Sequence, residues 1–314
     1  RARIKILVND LGKEEFTRQV EEEWSHIKSG VMKLDQKEIE RVQRYFTSPE
    51  YDDNASDDTS FNELEKSDKG FSNWTKRNLF THRVPGYKAV VVSLKAPGIA
   101  PGDATDQQMD HVAFLADKYS YGEVVVTHDQ NLILPNVKEA NLFTLWEKLS
   151  KKNLATANIG LLTDMICCPG LDFCSLANAG SIPIAKQINE KFDDIDYLHD
   201  IGELKIKMSG CMNACGHHHV GHIGILGVRK KDKEFYQLTL GGSAEKDACL
   251  GDRLGPSIAK EEVANVIGKL LDVYVEQRQD EERFLDTYRR VGIEPFKERV
   301  YPKIPAKEKT HANN

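Results

Sequence analysis

Long apolar runs are missing from this chain. No stretch of its 314 residues approaches the roughly 20 apolar positions that a membrane-spanning helix requires, and the first residues carry no signal-peptide pattern. An excess of positive charge is also missing. Lys and Arg number 43 against 49 Asp and Glu, for a net charge of −6, which argues against a phosphate-tracking surface and so against nucleic acid as a partner. There is no internal repeat at the periods of solenoids. Cysteine is scarce, at six residues, far below the density of a small secreted disulfide framework.

What is present suits a globular protein. Hydrophobic residues make up 40% and charged residues 29%, with a mean hydropathy of −0.50. This composition and length predict a soluble, cytoplasmic protein of about two domains. The few cysteines are clustered: five of the six, Cys167, Cys168, Cys174, Cys211 and Cys215, lie close in sequence, and Cys249 follows. In a chain of this size such clustering points to metal binding or redox chemistry.

Phe16, Val20 and Trp24 recur at i, i+4 and i+8 and predict a short amphipathic helix. From Glu50 to Asp68 eight residues are acidic and one, Lys66, is basic. Residues 48–73 therefore read as an exposed, mobile and dispensable insertion within an acidic linker over 31–79. Beyond it, "YKAVVVSLKAPG" predicts a strand. Residues 105–118 predict a helix with Met109, Val112, Ala113 and Leu115 inward. "GEVVVTHDQNLILP" predicts two short strands meeting at His128–Asn131, and "VKEANLFTLWEKLSKK" a second helix. This β-α-β-β-α order fits a ferredoxin-like half-domain over 80–157. The region 158–300 predicts a helix from about Cys174 to Phe192, strands at "LKIKMSG", "HIGILGV" and "EFYQLTLGG", and two closing helices, with 301–314 as a tail. The fold class is thus α+β, a ferredoxin-like half-domain followed by an α/β domain.

Cys168 and Cys174 bracket five residues in "CPGLDFC", and Cys211 and Cys215 bracket three in "CMNAC". Pro169, Gly170 and Gly210 let backbone approach the sulfurs. Four thiolates on two loops suit an iron–sulfur cluster. Zinc held by Cys211, Cys215 and the histidines His217–His219 fits the spacing too, and so do ordinary core thiols. Cys167 and Cys249 read as buried structural thiols. His128 and Asp129, adjacent in sequence, read as a solvated pair with side chains apart.

"CPGLDFC" followed by "SGCMNACGHHHVGHIGILG" resembles the siroheme-dependent sulfite and nitrite reductases. "HDQNLILP" and "LTLGG" resemble further stretches of that family, and the opening "RARIKILVNDLGKEEFTRQVEEE" resembles the helical end of its preceding domain, so that residues 1–30 are expected to close an upstream half. The resemblance implies a 4Fe–4S cluster on Cys168, Cys174, Cys211 and Cys215, with Cys215 bridging to the siroheme iron. It also implies that Gln130, Asn131, Asn213, Gly216 and His217 face the cofactor. Here Met212 stands where relatives often have Pro, and His217 where some have Arg.

The implied activity is six-electron reduction of sulfite to sulfide in sulfur assimilation. Nitrite is the alternative substrate, and an electron-transfer module without reductase activity the alternative role. Ferredoxin or a flavoprotein reductase is the implied electron donor. An anionic substrate needs cations, for which Arg77, Arg83 and Lys88 are the nearest candidates; Arg83, Lys88 and His217 are the catalytic candidates. No dense Arg/Lys cluster stands near the cysteines in the sequence. The 314-residue chain alone is therefore expected to turn over negligibly and to need an N-terminal half.

Overall fold

The computed structural model describes residues 4–30, 33–52 and 59–302. The chain divides into two units, residues 1–51 and 52–314. The first is helical, with α1 (Ile4–Leu11), α2 (Lys13–Ile27) and α3 (Gln36–Gln43). Gly12, at φ +80°, breaks α1 from α2. α2 realises the predicted spacing, and Leu7, Phe16, Val20, Trp24 and Ile27 line one apolar groove. On the charged face Arg18 reaches Glu15 and Glu22, each at 2.8 Å.

The second unit opens with α4 (Thr59–Ser67) and α5 (Lys69–Asn78). This corrects the expectation of an exposed insertion through residue 73. Phe71 and Trp74 are fully buried, and the Phe71 ring packs on Phe143 and Trp146 at centroid distances of 5.1 and 5.4 Å. Asp68, which reads as one more acidic loop residue, is the N-cap of α5 and accepts the Phe71 N–H. Acidic composition thus hid a capping signal and its apolar anchors. Residues 53–58 of the acidic stretch lie outside the described residues.

Next come β1 (Leu79–Thr81), β2 (Tyr87–Val92), α6 (Asp106–Tyr119), β3 (Val125–Val126), β4 (Leu132–Lys138) and α7 (Leu142–Ser150). The strands form one antiparallel sheet in the order β1-β2-β4-β3, and the predicted β-α-β-β-α run is present as β2 to α7. A capping box between Thr105 and Gln108 starts α6. Its buried face is Val112, Leu115, Ala116 and Tyr119, with Met109 and Ala113 exposed; the 3.6-residue period runs one step later than the sequence suggested.

The remaining elements are β5 (Ile166–Cys167), α8 (Ile182–Lys191), α9 (Ile195–Ile201), β6 (Ile206–Ser209), β7 (Ile223–Lys230), β8 (Lys233–Leu240), β9 (Asp252–Arg253), β10 (Ile258–Ala259), α10 (Val263–Gln277), α11 (Phe284–Val291) and α12 (Glu294–Val300). The second sheet runs β10-β8-β7-β6-β5, with β9 on β8. β5, β6 and β7 are mutually parallel and β8 returns antiparallel to β7. Ile206, Met208, Ile223, Ile225, Leu238 and Leu240 pack with residues of α8 and α10 in one core. α8 starts at Ile182 rather than near Cys174. Pro183 sits in its first turn, where a missing N–H costs nothing, and residues 168–181 are left as loop.

A buried polar junction joins the two sheets' regions. The Lys95 ammonium, with no exposed side-chain surface, lies 2.6 Å from the Asp164 carboxylate and also donates to the Asp129 carbonyl. Asn131 donates to Asp164 at 3.0 Å and accepts from the Leu94 N–H at 3.1 Å, and the Gly160 N–H donates to Asp164 at 2.9 Å.

Candidate functional site

Because β5 and β6 are parallel neighbours, their C-terminal ends leave the sheet on the same side. Cys168 follows β5, and Cys211 follows β6 through Gly210. The two loops are hydrogen-bonded to each other. The Cys168 N–H donates to the Met208 carbonyl at 3.1 Å, and the Gly210 N–H donates to the Cys168 Sγ at 3.0 Å. The Gly210 carbonyl accepts from the Asn178 and Ala179 N–H groups at 2.8 and 3.1 Å. Glycine is required at this crossing: a Cβ on Gly210 would stand 2.8 Å from the Ala179 carbonyl and 2.9 Å from the Gly170 Cα.

The second cysteine pair sits on a tight, strained turn. Ala214 and His217, at φ +58° and +54°, flank Cys215 and Gly216 in the left-handed region, which costs a side-chain-bearing residue about 1 kcal/mol or more. The Gly216 N–H donates to the Ser209 hydroxyl at 3.1 Å. A Cβ on Gly216 would fall 1.8 Å from the Met208 carbonyl, so only glycine lets the turn press onto β6. All six cysteines are free thiols: Cys211 is buried, Cys168 and Cys174 are half-buried, and Cys215 is exposed. Among the described residues no three His, Cys, Asp or Glu side chains are grouped as ligands of a single metal ion. That holds for the four cysteines as for Cys211 and Cys215 with His217–His219.

Gln130 and Asn131 both make hydrogen bonds within the protein. Gln130, at φ +59°, clamps the Cys167 peptide: its Oε1 accepts the Cys167 N–H at 2.8 Å and its Nε2 donates to the Cys167 carbonyl at 2.9 Å. Asn131 serves the buried junction. The turn after β3 thereby fixes the strand end from which Cys168 emerges. Nothing in the local sequence signals a contact across 37 residues. Cys167 itself is buried, and burial pushes its thiol pKa up, as suits a structural position.

The histidines differ among themselves. His217 is exposed. His218 is buried, its ring centroid 3.9 Å from that of His219, and burial, then the His219 neighbour, lowers its pKa to about 4. His222 is buried too, and mainly for that reason its pKa falls to about 4. Its Nδ1 accepts the Lys205 N–H at 3.2 Å. His128 and Asp129 are not apart: their side chains meet at 3.5 Å on the surface.

Arg83 and Lys88 belong to the first sheet and its connections. Arg83 is exposed in the β1–β2 connection, and Lys88 pairs with Glu139 at 3.1 Å near the start of β2, about 20 Å of strand from the Leu94 end that reaches Asn131. Arg77 instead lines a cavity of about 750 Å³ with Lys76, Lys205, Lys207, Lys246 and Arg283. These cations are scattered over some two hundred positions of chain, which is why the sequence shows no cluster.

Two cysteine loops are hydrogen-bonded across a parallel strand pair beside a ferredoxin-like half-domain. The comparisons give the class. Residues 161–309 match the nitrite and sulphite reductase 4Fe-4S domain, and residues 84–152 match the nitrite/sulfite reductase ferredoxin-like half domain. The chain belongs to the siroheme- and 4Fe–4S-dependent nitrite and sulfite reductase family. It is 28% identical over 206 residues to the ferredoxin–nitrite reductase of Synechococcus elongatus, covering 63% of this chain and 39% of that protein. It is 28% identical over 180 residues to the NADPH sulfite reductase hemoprotein beta-component of Bacillus pumilus, covering 56% of this chain and 31% of that protein. The fold is similar to that of the Mycobacterium tuberculosis NirA protein, with a TM-score of 0.59 at 21% identity, covering 94% of this chain and 49% of that one. The matched part thus spans between three and four tenths of the length of these curated relatives.

The donor set fits the family's cofactors. Four free thiols stand on two abutting loops, and Cys168 Sγ already accepts a backbone N–H, the kind of hydrogen bond that stabilises a cluster thiolate. Leu171, Phe173, Leu176 and Met212 beside them are 43%, 80%, 66% and 75% exposed, an apolar rim suited to a large planar cofactor.

Proposed function

We propose that this chain is the cluster- and siroheme-holding part of an enzyme that reduces sulfite to sulfide by six electrons. Nitrite, reduced to ammonia, is the alternative substrate, since relatives of both kinds match the chain at equal identity. The observation that carries the reading is the Gly210 N–H to Cys168 Sγ bond, which ties the two cysteine loops together. In this reading Cys168, Cys174, Cys211 and Cys215 would hold the cluster, and Cys215, exposed on its strained turn, would be the thiolate nearest the siroheme. Asn213 and Gly216 border the haem edge, and His217 offers an imidazole N–H to an anionic group there. Gln130 acts at one remove by holding the Cys167 peptide. When bound, the paired cofactors supply the one-electron steps that a six-electron reduction requires.

The electron donor is a ferredoxin or a flavoprotein reductase, the classes printed in the names of the relatives. An upstream half of the same protein supplies the remaining wall and cations. The test is turnover with a reduced-viologen donor, sulfite and nitrite side by side, for the chain alone and for the chain joined to that half. Sulfide formation by the joined protein and negligible turnover by the chain alone are expected. A cluster spectrum without siroheme bands and without turnover in the joined protein would leave the electron-transfer role instead.

A further inference from the structure

The cavity beside β6 holds more cationic charge than its own carboxylates neutralise. Its wall carries six cations and five carboxylates. Four of the carboxylates have cationic partners. Asp164 is paired with Lys95 at 2.6 Å and Asp247 with Arg289 at 2.5 Å. Glu245 is bound by Lys205, and Glu203 is shared by Lys205 at 3.9 Å and Arg283 at 3.5 Å. Asp129, whose nearest partner is the His128 ring at 3.5 Å, shares the cavity with Lys76, Arg77, Lys207 and Lys246, none of which forms an ion pair or side-chain hydrogen bond among the described residues.

Lys207 is the most telling of the four. It lies within β6 and is only 5% exposed, yet its ammonium meets no acceptor among the described residues. Its strand partner Ile166 lines the same cavity. Burial lowers the Lys207 pKa, and the Asp129 carboxylate opposes that shift. Arg77, half-buried, is lowered for the same reason. The rest of the wall is apolar: Leu79, Phe80, Ile159, Ile166 and Ile206. None of the cysteines lines it.

We infer that this cavity is a binding site for an organic anion, a small molecule with an apolar body and a carboxylate or sulfonate group, separate from the cysteine loops. The anion accepts from Lys207 and Arg77, the unpartnered cations with least access to water, and the apolar body lies on the Leu79, Phe80 and isoleucine surface. The inference does not depend on the proposed reductase activity.

Calorimetric titration of the full chain with 2-naphthoate, its neutral analogue 2-naphthylmethanol and inorganic sulfate tests it. Naphthoate is expected to bind about tenfold or more tighter than either comparator, and Lys207→Met and Arg77→Gln each to weaken it about tenfold. Lys207→Arg should retain binding, and Cys215→Ser should leave it unchanged. Circular dichroism verifies the fold of each variant, and if Lys207→Met does not fold, Arg77→Gln and Lys207→Arg decide. Equal binding of the neutral analogue, sulfate binding as tightly as naphthoate, or naphthoate binding untouched by the folded variants overturns the inference. Loss of binding in Cys215→Ser overturns its separateness from the cysteine loops.

Discussion

Gln130 shows how much of the site rests on single side chains far from the cysteines in sequence. Its amide makes both hydrogen bonds to the Cys167 peptide, and its left-handed backbone is what turns it there. Gln130→Ala would leave a buried peptide N–H and carbonyl without those partners, so a loss of about 2 kcal/mol is expected. Urea unfolding would measure it, and a change under about 0.5 kcal/mol would contradict the clamp. His222 gives the molecule a pH dependence. Burial holds its folded pKa near 4, below the ordinary 6.5, so the unfolded chain binds the proton more readily. The stability this neutral ring contributes is complete above about pH 6.5 and is lost as pH falls toward 4. Unfolding midpoints of the wild type and His222→Gln across pH 4–8 should therefore converge at the acid end as the wild type loses its neutral-ring contribution. Parallel curves through that window would count against it.

At the scale of elements, α5 is the part that composition concealed. Phe71 is fully buried against Phe143 and Trp146, and Phe71→Ala should cost about 3–5 kcal/mol. Thermal unfolding would show it, and a near-neutral effect would restore the dispensable insertion. Strands and amphipathic helices elsewhere were legible where one period dominated: the alternation of "LKIKMSG" gives β6, and the spacing of Val263, Val266, Ile267, Leu270, Leu271 and Tyr274 gives α10. Boundaries set by a single residue were less so. The start of α8 follows Pro183 rather than the apolar content before it. The cysteine loops were legible because local spacing and glycine carry them. The Gln130 clamp, the Lys95–Asp164 pair and the cationic cavity were not, because each joins positions that only the tertiary fold makes neighbours.

For the whole molecule, the account depends on four thiols acting as one site across two loops, with Cys167 and Cys249 outside it. Cys249 Sγ instead donates to the Gly241 carbonyl at 3.2 Å, a structural contact. The most direct measurement is anaerobic reconstitution of the chain with iron and sulfide, read by iron content and by electron paramagnetic resonance of the reduced protein. The account predicts about four irons per chain and a single 4Fe–4S signal. Cysteine-to-serine changes at Cys168, Cys174, Cys211 or Cys215 should lose or alter that signal, and the same change at Cys167 or Cys249 should keep it. An unaltered signal in any of the first four variants, or its loss in either of the last two while the fold is retained, would contradict the assignment.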